Sequence, residues 1–493
     1  MLIRRAEIRP GTLRDLRLRG EAIAAVAPRL EPHPGEAVLD AEGGALLPGL
    51  HDHHLHLLAL ARARESVACG PPRVRNRAEL GSVLEAARPD TRGWIRGIGY
   101  HESVAGELDR HALDALRDDL PVRIQHASGA LWILNSRAVE AVGLDRGTPP
   151  PGAERDARGR ATGRLFRLDG WLRARLPPPP PLGLGAVGRD LARLGITGVT
   201  DATAGNGPQE LRILEAALDA GDLPQRLFVL GHESLPEPGQ SRAARGPLKI
   251  VLAEGALPTP RALTGRIAES HARGRPVAIH CTTRVELVVA AVALREAGHL
   301  DGDRIEHASV APPEVLPLLS QLGVRIVTQP HFVWERGDRY LEEVDPADRP
   351  WLYRARGFLE AGLSLAAGSD APLADPDPWA AMRAAMTRRT RGGAVLAPGE
   401  SLSFDEALRL FLSDPADPGG APRRVEAGAS ADLCLLRVPW TEAARAPAAA
   451  LVRETWCAGR PISEPSAAEG RRLRRDAPPG PGRPPGDRSV RPG

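Results

Sequence analysis

Eight short apolar runs recur along the chain, separated by helix-sized stretches such as RVELVVAAVALREAG. Each run has the length and composition of a buried β-strand, and regular alternation of strands with helices is typical of a parallel sheet. Eight such units predict an α/β fold with a closed (β/α)₈ barrel over residues 48–419. The eight runs are ALLPGLHDHHLH, GITGVTDAT, RLFVLGH, LKIVLAEG, PVAIHC, DRIEHAS, VRIVTQ and LSLAAGSD.

Segments outside the barrel predict three additions. The two chain ends, 1–47 and 420–462, carry β-type runs punctuated by turn residues and are expected to pair into one small β-sandwich domain. The first two barrel runs lie too far apart for one helix, which indicates an insertion over about 72–188 that ends in the proline run Pro177–Pro181. The tail 463–493 is rich in Pro, Gly and Arg and is predicted to be disordered.

The first barrel run carries a histidine cluster in GLHDHHLHL. Side chains at alternate strand positions share a face, so Asp52, His54 and His56 should point one way while His51 and His53 point the other. Two histidines spaced i, i+2 can hold one metal ion through their ring nitrogens. A histidine-rich surface turn is the alternative interpretation of this short pattern.

Three other runs end on groups that bind metals or titrate. His280 ends PVAIH, His307 ends DRIEH and Asp370 ends LSLAAGSD. Barrel active sites are built at the C-terminal ends of the strands, where these side chains should meet the histidines of the first run. Four such sites favour a metal centre over unrelated structural residues.

A lysine in the fourth run is conspicuous because the chain otherwise uses arginine. Lys and Arg total 65, and the chain contains a single lysine, Lys249. A lysine buried among metal ligands should favour its neutral amine, which can take up carbon dioxide as a carbamate and bridge two cations. Arginine cannot do this because its guanidinium stays protonated. The alternative is a chance lysine in a strand.

Composition excludes several classes of partner. A net charge of +3 is too small to indicate a nucleic-acid or anionic-membrane partner, and 3% aromatic residues argue against a base-stacking surface. No apolar run reaches the roughly 18 residues that a membrane span needs. The first residues lack the apolar core of a signal peptide, so a cytoplasmic location is expected.

The motifs together resemble the amidohydrolase superfamily, and most closely its amidohydrolase-3 branch, which includes enzymes similar to N-substituted formamide deformylase. The matching segments cover nearly the whole chain except the tail. They are PGLHDHHLH, RIQHASGALWILNSRAVEAVGL, RDARGRATGRLF, LKIVLAEG, PVAIH, RIEHAS, TQP, GSDAPLADPDPWAAMRAAMTRRT and ADLCLL.

The resemblance implies a set of metal ligands. His54 and His56 would bind one divalent ion together with Asp370, and His280 and His307 would bind a second. The lysine of the fourth strand, carboxylated, would bridge the two. The ions are expected to be two zinc ions, with iron, manganese or nickel as alternatives. Some relatives work with one metal, so the count stays open.

The expected activity is hydrolysis of a non-peptide C–N bond, in an amide or formamide of a small-molecule substrate. A metal-held hydroxide would attack, while Asp370 moves the proton from water to the leaving nitrogen. Three polar residues are candidates for substrate contact: His126, Gln329 and His331. Two alternatives remain: a mononuclear deaminase of an aminated heterocycle, which needs no bridging lysine, and a non-catalytic binding protein, which should have lost a ligand.

Overall fold

The fold is that of a computed structural model, which describes residues 1–71, 73–146, 150–177 and 182–462. Eight parallel strands form one sheet in chain order, as the apolar runs predict. The fold-class prediction, including the sandwich and the insertion, is confirmed. The barrel strands, numbered 1 to 8, are Leu50–Leu55, Ile196–Asp201, Arg226–Gly231, Ala243–Val251, Val277–Cys281, Arg304–His307, Arg325–Thr328 and Leu365–Ala367.

Barrel strands 1 and 8 meet just beyond the end of strand 8. The N–H of Asp370 donates to the carbonyl of His54 at 2.6 Å, and the N–H of His56 donates to the carbonyl of Ala371 at 2.9 Å. Gly368 permits this approach, since a Cβ there would lie 2.3 Å from the main-chain nitrogen of His54. The first and last strands therefore deliver their side chains to the same point on the rim.

One connection departs from the strand–helix alternation. Strand 4 begins at Ala243, so only residues 232–242 separate it from strand 3, and they form turns without a helix. Pro236, Pro238 and Gly239 interrupt this segment, which is also too short for a helix with its two loops. The remaining connections carry helices.

The helices outside the insertion wrap the barrel or follow its strands. All of them except Phe332–Glu343 contribute apolar side chains to one large buried cluster together with the strands, and Phe332–Glu343 packs into a smaller separate cluster. They are Leu57–Arg64, Leu184–Arg193, Pro208–Asp219, Pro260–Ala272, Arg284–Ala297, Leu316–Leu322, Phe332–Glu343, Arg356–Glu360, Pro378–Thr387, Phe404–Arg409 and Trp440–Arg445, with 3₁₀ turns at Glu254–Ala256, Pro313–Val315, Arg349–Trp351, Pro398–Glu400 and Ala449–Leu451.

Both chain ends build the β-sandwich. One sheet contains Leu2–Arg9, Thr12–Arg19, Ala22–Ala27 and Val38–Asp40, and the other contains Leu46–Pro48, Leu433–Leu436, Val452–Cys457 and Arg460–Pro461. The two sheets share a buried core that includes Ile3, Leu433 and Trp456. Leu46 packs into this core while the next residue, Leu47, packs into the barrel cluster, so strand alternation joins the two units.

The insertion has a sheet of its own. Its strands are Val67–Ala68, Ile95–Tyr100, Val122–His126, Leu131–Leu134, Ala153–Arg155 and Ala161–Phe166, and its helices are Arg77–Ala86, Glu102–Ala105, Arg110–Asp114, Ser136–Ala141 and Asp169–Arg173. Two separate buried clusters stabilise it. The proline run beyond Pro177 and the tail 463–493 lie outside the described residues. The residue boundaries predicted for the domains stay predictions.

Within the described ranges, every helix is too short or too polar to cross a membrane.

Candidate metal centre

The six candidate ligands lie at the C-terminal ends of barrel strands. His54 lies near the end of strand 1 and His56 directly follows it, strand 4 carries Lys249 near its end, and Asp370 follows strand 8 by three residues. Strands 5 and 6 place His280 and His307 at the same rim. Because all eight strands are parallel, their carboxyl ends share one face of the barrel.

The first group of donor atoms comes from strands 1 and 8. Nε2 of His56 lies 3.0 Å from Oδ1 of Asp370, and Nε2 of His54 lies 3.6 Å from the same oxygen. The donor atoms of all three residues lie within 4.8 Å of one another. Two imidazole nitrogens and a carboxylate oxygen at this spacing are a donor set that suits a divalent transition metal.

A second group of rings adjoins the first. The ring of His307 lies between two other imidazoles, with its centroid 4.7 Å from that of His54 and 4.5 Å from that of His280. Nδ1–H of His307 donates a hydrogen bond to Oε1 of Gln329 at 2.7 Å. The lone pair of the ring is therefore on Nε2, where it can bind a metal ion. The sequence candidates on strands 5 and 6 are thus brought next to the strand 1 histidine.

Lys249 is buried beside these groups. Its side chain is 3% exposed, and Nζ makes no hydrogen bond to any residue that the structure describes. Burial lowers the pKa of Lys249 to about 8, although the nearby Glu306 and Asp370 carboxylates act in the opposite direction. A buried amine without a hydrogen bond is costly, which makes Lys249 a candidate to bind a further group.

Two rim residues have strained backbones. His307 and Asp370 adopt φ angles of 68° and 57°, in the left-handed region that non-glycine residues rarely occupy. Such strain persists only where the surrounding structure enforces it, and it clusters at functional sites. Both strained residues belong to the candidate donor set.

Comparison with known protein families identifies the family of this chain. The model of the amidohydrolase family matches residues 37–463. The chain belongs to the amidohydrolase family. This amidohydrolase is a hydrolase of C–N bonds other than peptide bonds.

Individual relatives agree with this assignment. The amidohydrolase is 28% identical over 471 residues to the N-substituted formamide deformylase of Arthrobacter pascens, covering 82% of this chain and 85% of that protein. An uncharacterised metal-dependent hydrolase from Pyrococcus horikoshii OT3 has the same fold, with a TM-score of 0.71, 22% identity and coverage of 89% and 97%. The zinc complex of atrazine chlorohydrolase from Arthrobacter aurescens TC1 is more distant, with a TM-score of 0.52, 15% identity and coverage of 96% and 98%.

Ionisation in the amidohydrolase site suits metal binding. Burial, together with the charge of the nearby Lys249, lowers the pKa of His54 and of His280 to about 4. Burial alone would raise the pKa of Asp370, but the hydrogen bond from His56 and the neighbouring imidazoles outweigh it and hold that pKa below its usual value. At neutral pH the site therefore offers neutral imidazoles at His54 and His280 and an ionised carboxylate at Asp370. His56 differs, because the effect of burial is outweighed by the hydrogen bond with Asp370 and the charge of that carboxylate, which raise its pKa.

Two charged residues behind the ligands, Arg304 and Glu306, are not among the sequence-predicted site residues. Oε2 of Glu306 lies 2.5 Å from Nδ1 of His54, and Nε of Arg304 donates to Oε1 of the same carboxylate at 2.5 Å. The available signal was their spacing, since Arg304 and Glu306 stand at i, i+2 in the strand Arg304–His307. Oppositely charged side chains on one face of a buried strand indicate a paired network.

Asp52 supports the site through the backbone. Its Oδ1 accepts the N–H of His54 at 3.0 Å and that of Ser369 at 2.9 Å, so one carboxylate connects strand 1 to the segment after strand 8. Burial raises the pKa of Asp52 to about 6. On the opposite face of the strand, the rings of His51 and His53 pack against each other with centroids 4.5 Å apart and a tilt of 53°, in agreement with the predicted alternation.

The three substrate candidates differ in their surroundings. Gln329 is buried against His307, and its Nε2 has no hydrogen-bond partner in the described structure. His331 is also buried, and within that same part of the chain neither of its ring nitrogens is hydrogen-bonded. His126 lies in the insertion, where its ring nitrogens pair with Glu102 at 3.0 Å and Ser128 at 2.7 Å. The contacts of His126 are local to the insertion.

Proposed function

We propose that this amidohydrolase cleaves the C–N bond of an amide or formamide of a small molecule, with divalent metal held at the C-terminal rim of the barrel. The observation that carries the proposal is the convergence of His54, His56 and Asp370 donor atoms within 4.8 Å of one another. The named activity of the Arthrobacter pascens relative, deformylation of N-substituted formamides, supports the substrate class.

The ligand assignment follows the two groups of donor atoms. His54, His56 and Asp370 would hold one ion, and His280 and His307 would hold the second. The amine of the fourth-strand lysine has no hydrogen-bond partner among the described residues, and once carboxylated it would supply an anionic group shared by the two ions. Zinc is the proposed metal because it accepts histidine and carboxylate donors, and the Arthrobacter aurescens neighbour is described as complexed with zinc. Iron, manganese and nickel remain alternatives.

Bound divalent metal would supply Lewis acidity, which lowers the pKa of water and polarises a carbonyl. The chain supplies the proton transfer. Asp370, held ionised by His56 and its neighbours, accepts a proton from the attacking water and delivers it to the leaving nitrogen. Water and the amide are thereby converted to a carboxylic acid and an amine.

Substrate contacts are proposed for the polar groups beside the ligands. His331 and Gln329, next to strand 7, have buried nitrogens without a hydrogen-bond partner in the part of the chain that the structure describes, and a bound substrate would satisfy them. His126 is a third candidate from the insertion. Lys249 favours amide hydrolysis over the mononuclear deaminase, which uses the same histidines and aspartate without a bridging lysine.

Assay of the zinc-loaded enzyme tests the proposal. N-alkyl and N-aryl formamides, the matching acetamides and a set of aminated heterocycles are each incubated with enzyme, and released amine, formate or acetate, and ammonia are quantified. The proposal expects amine and acid in equal amounts, abolished by chelation and restored by zinc. Ammonia from heterocycles with no amide cleavage would instead support the deaminase.

A further inference from the structure

The histidines of the centre have unequal partners behind them. Nδ1 of His56 pairs with the hydroxyl of Thr203 at 2.9 Å, and Nδ1 of His307 pairs with the amide oxygen of Gln329 at 2.7 Å. Both partners are neutral. His54 differs, because its Nδ1 faces the carboxylate of Glu306 at 2.5 Å.

Arg304 keeps that carboxylate charged and in place. Its Nε and Nη2 donate to the two oxygens of Glu306 at 2.5 and 3.1 Å, and Nη2 also donates to the carbonyl of His53 at 2.8 Å. Glu306 and Arg304 are fully buried. A buried carboxylate tolerates this environment only when its charge is compensated, and here a guanidinium on one side and an imidazole N–H on the other compensate it.

A carboxylate behind a metal-binding histidine acts through that histidine. It fixes the tautomer with the proton on Nδ1, directs Nε2 outward and makes the ring a stronger donor. Losing such a partner typically weakens metal binding by roughly 10–100-fold. A group that bridges both ions contributes to both sites, whereas Glu306 contacts the ligand of only one of them, His54.

We propose that Glu306 is a positioning residue that selectively tightens the site of His54, His56 and Asp370, so that the enzyme binds one ion strongly and a second ion more weakly. This inference rests on the proposed function. It predicts that the site of His54 fills before the second site, and it attributes this order to Glu306, which would touch neither ion.

The test is stepwise zinc binding to the full chain, measured by competition with chelators of graded affinity. Wild-type protein should show a tight and a weak step. Glu306→Gln, which keeps the shape but removes the charge, should weaken the tight step by roughly 10–100-fold and leave the weak step in place. Glu400→Gln is the matched control, because Glu400 is also buried and pairs with Arg354 at 2.8 Å away from the donor set. It should move neither step.

Each outcome decides the inference. An unchanged tight step in Glu306→Gln overturns it, and an equal loss at both steps shows a general structural role and also overturns it. If Glu306→Gln does not fold, the double variant Arg304→Gln/Glu306→Gln removes the buried charge pair together and should show the same selective loss. Wild-type protein that binds no zinc, iron, manganese or nickel contradicts the proposed function itself, whereas an active Glu306→Gln enzyme whose tight step has the wild-type affinity contradicts this inference alone.

Discussion

The main-chain N–H of Asp370 donates to the carbonyl of His54 at 2.6 Å, so the end of the barrel sheet is closed by the same two residues whose side chains meet at the metal centre. Nε2 of His54 and Oδ1 of Asp370 are 3.6 Å apart. A change that weakens the contact between strands 1 and 8 should therefore also weaken metal binding by His54 and Asp370, and the reverse should hold as well.

Gly368→Ala should disrupt that closure. The added Cβ would lie 2.3 Å from the main-chain nitrogen of His54, and neither backbone can move without separating strands 1 and 8. We expect a loss of roughly 1–3 kcal/mol in the free energy of unfolding and weaker zinc binding, measured by denaturant titration and chelator competition. Gly265→Ala is the control: it lies in the helix Pro260–Ala272 with open space around its Cβ, and should be neutral or slightly stabilising. Equal stability of the two variants would contradict the closure argument.

Lys249→Ala should lose metal and hydrolytic activity together. The variant has no amine to carry a carbamate, and short carboxylic acids added to the buffer should partly restore both properties by occupying the vacated space. Metal content by elemental analysis and amine release by chromatography measure the effect. Lys249→Arg retains a positive charge but cannot be carboxylated, so it should resemble Lys249→Ala without acid rescue. Full metal content and wild-type turnover in either variant would refute the bridging role.

Asp370→Asn should separate binding from catalysis. The amide keeps an oxygen donor near His54 and His56 but cannot accept a proton from water. We expect most of the metal to be retained while kcat falls by roughly 10²–10⁴-fold, the usual contribution of a positioned acid–base group. Parallel metal analysis and steady-state kinetics distinguish this from simple loss of metal. Unchanged rates would remove Asp370 as the proton carrier.

Stability of the metal-free protein should depend on pH through Lys249. Its pKa is lowered from 10.5 to about 8, so between these values the unfolded chain holds a proton that the folded chain has released. The contribution of Lys249 to folding stability therefore rises with pH across this window and is most unfavourable below pH 8. Lys249→Met should be more stable than wild type by at most about 3 kcal/mol below pH 8, and the advantage should vanish near pH 10.5.

Chemical denaturation of both apo proteins at several pH values in carbon-dioxide-free buffer gives this difference directly. A stability difference that stays constant from pH 7 to pH 10.5 would show that the amine is not held by burial in its neutral form.

Much of the fold was predictable because barrel strands are local patterns. Each apolar run ends where the structure ends a strand or nearly so, and the parallel topology then places His280 and His307 at one rim. The apolar run LKIVLAEG begins at Leu248, which leaves room for a helix between strands 3 and 4. In the structure strand 4 already begins at Ala243, so the remaining residues 232–242 are too few for that helix.

The supporting contacts were harder to predict because they depend on distant pairings. Asp52 was placed on the correct face by alternation, but its bond to the N–H of Ser369 joins residues at opposite ends of the barrel sequence. Glu306 and His54 are likewise 252 positions apart. Sequence periodicity gives the face of a side chain, whereas its partner across a barrel is set by strand register and packing.

The most direct test of the central claim uses the single lysine of the chain. Protein loaded with zinc in the presence of ¹³C-bicarbonate is analysed by carbon NMR, with Lys249→Arg prepared in the same way. Lys249 carries the only side-chain amine in the sequence, so a lysine carbamate has one possible location. The account predicts one carbamate signal in the active wild-type protein that is absent from Lys249→Arg. A fully metal-loaded, active wild-type enzyme without that signal would contradict it.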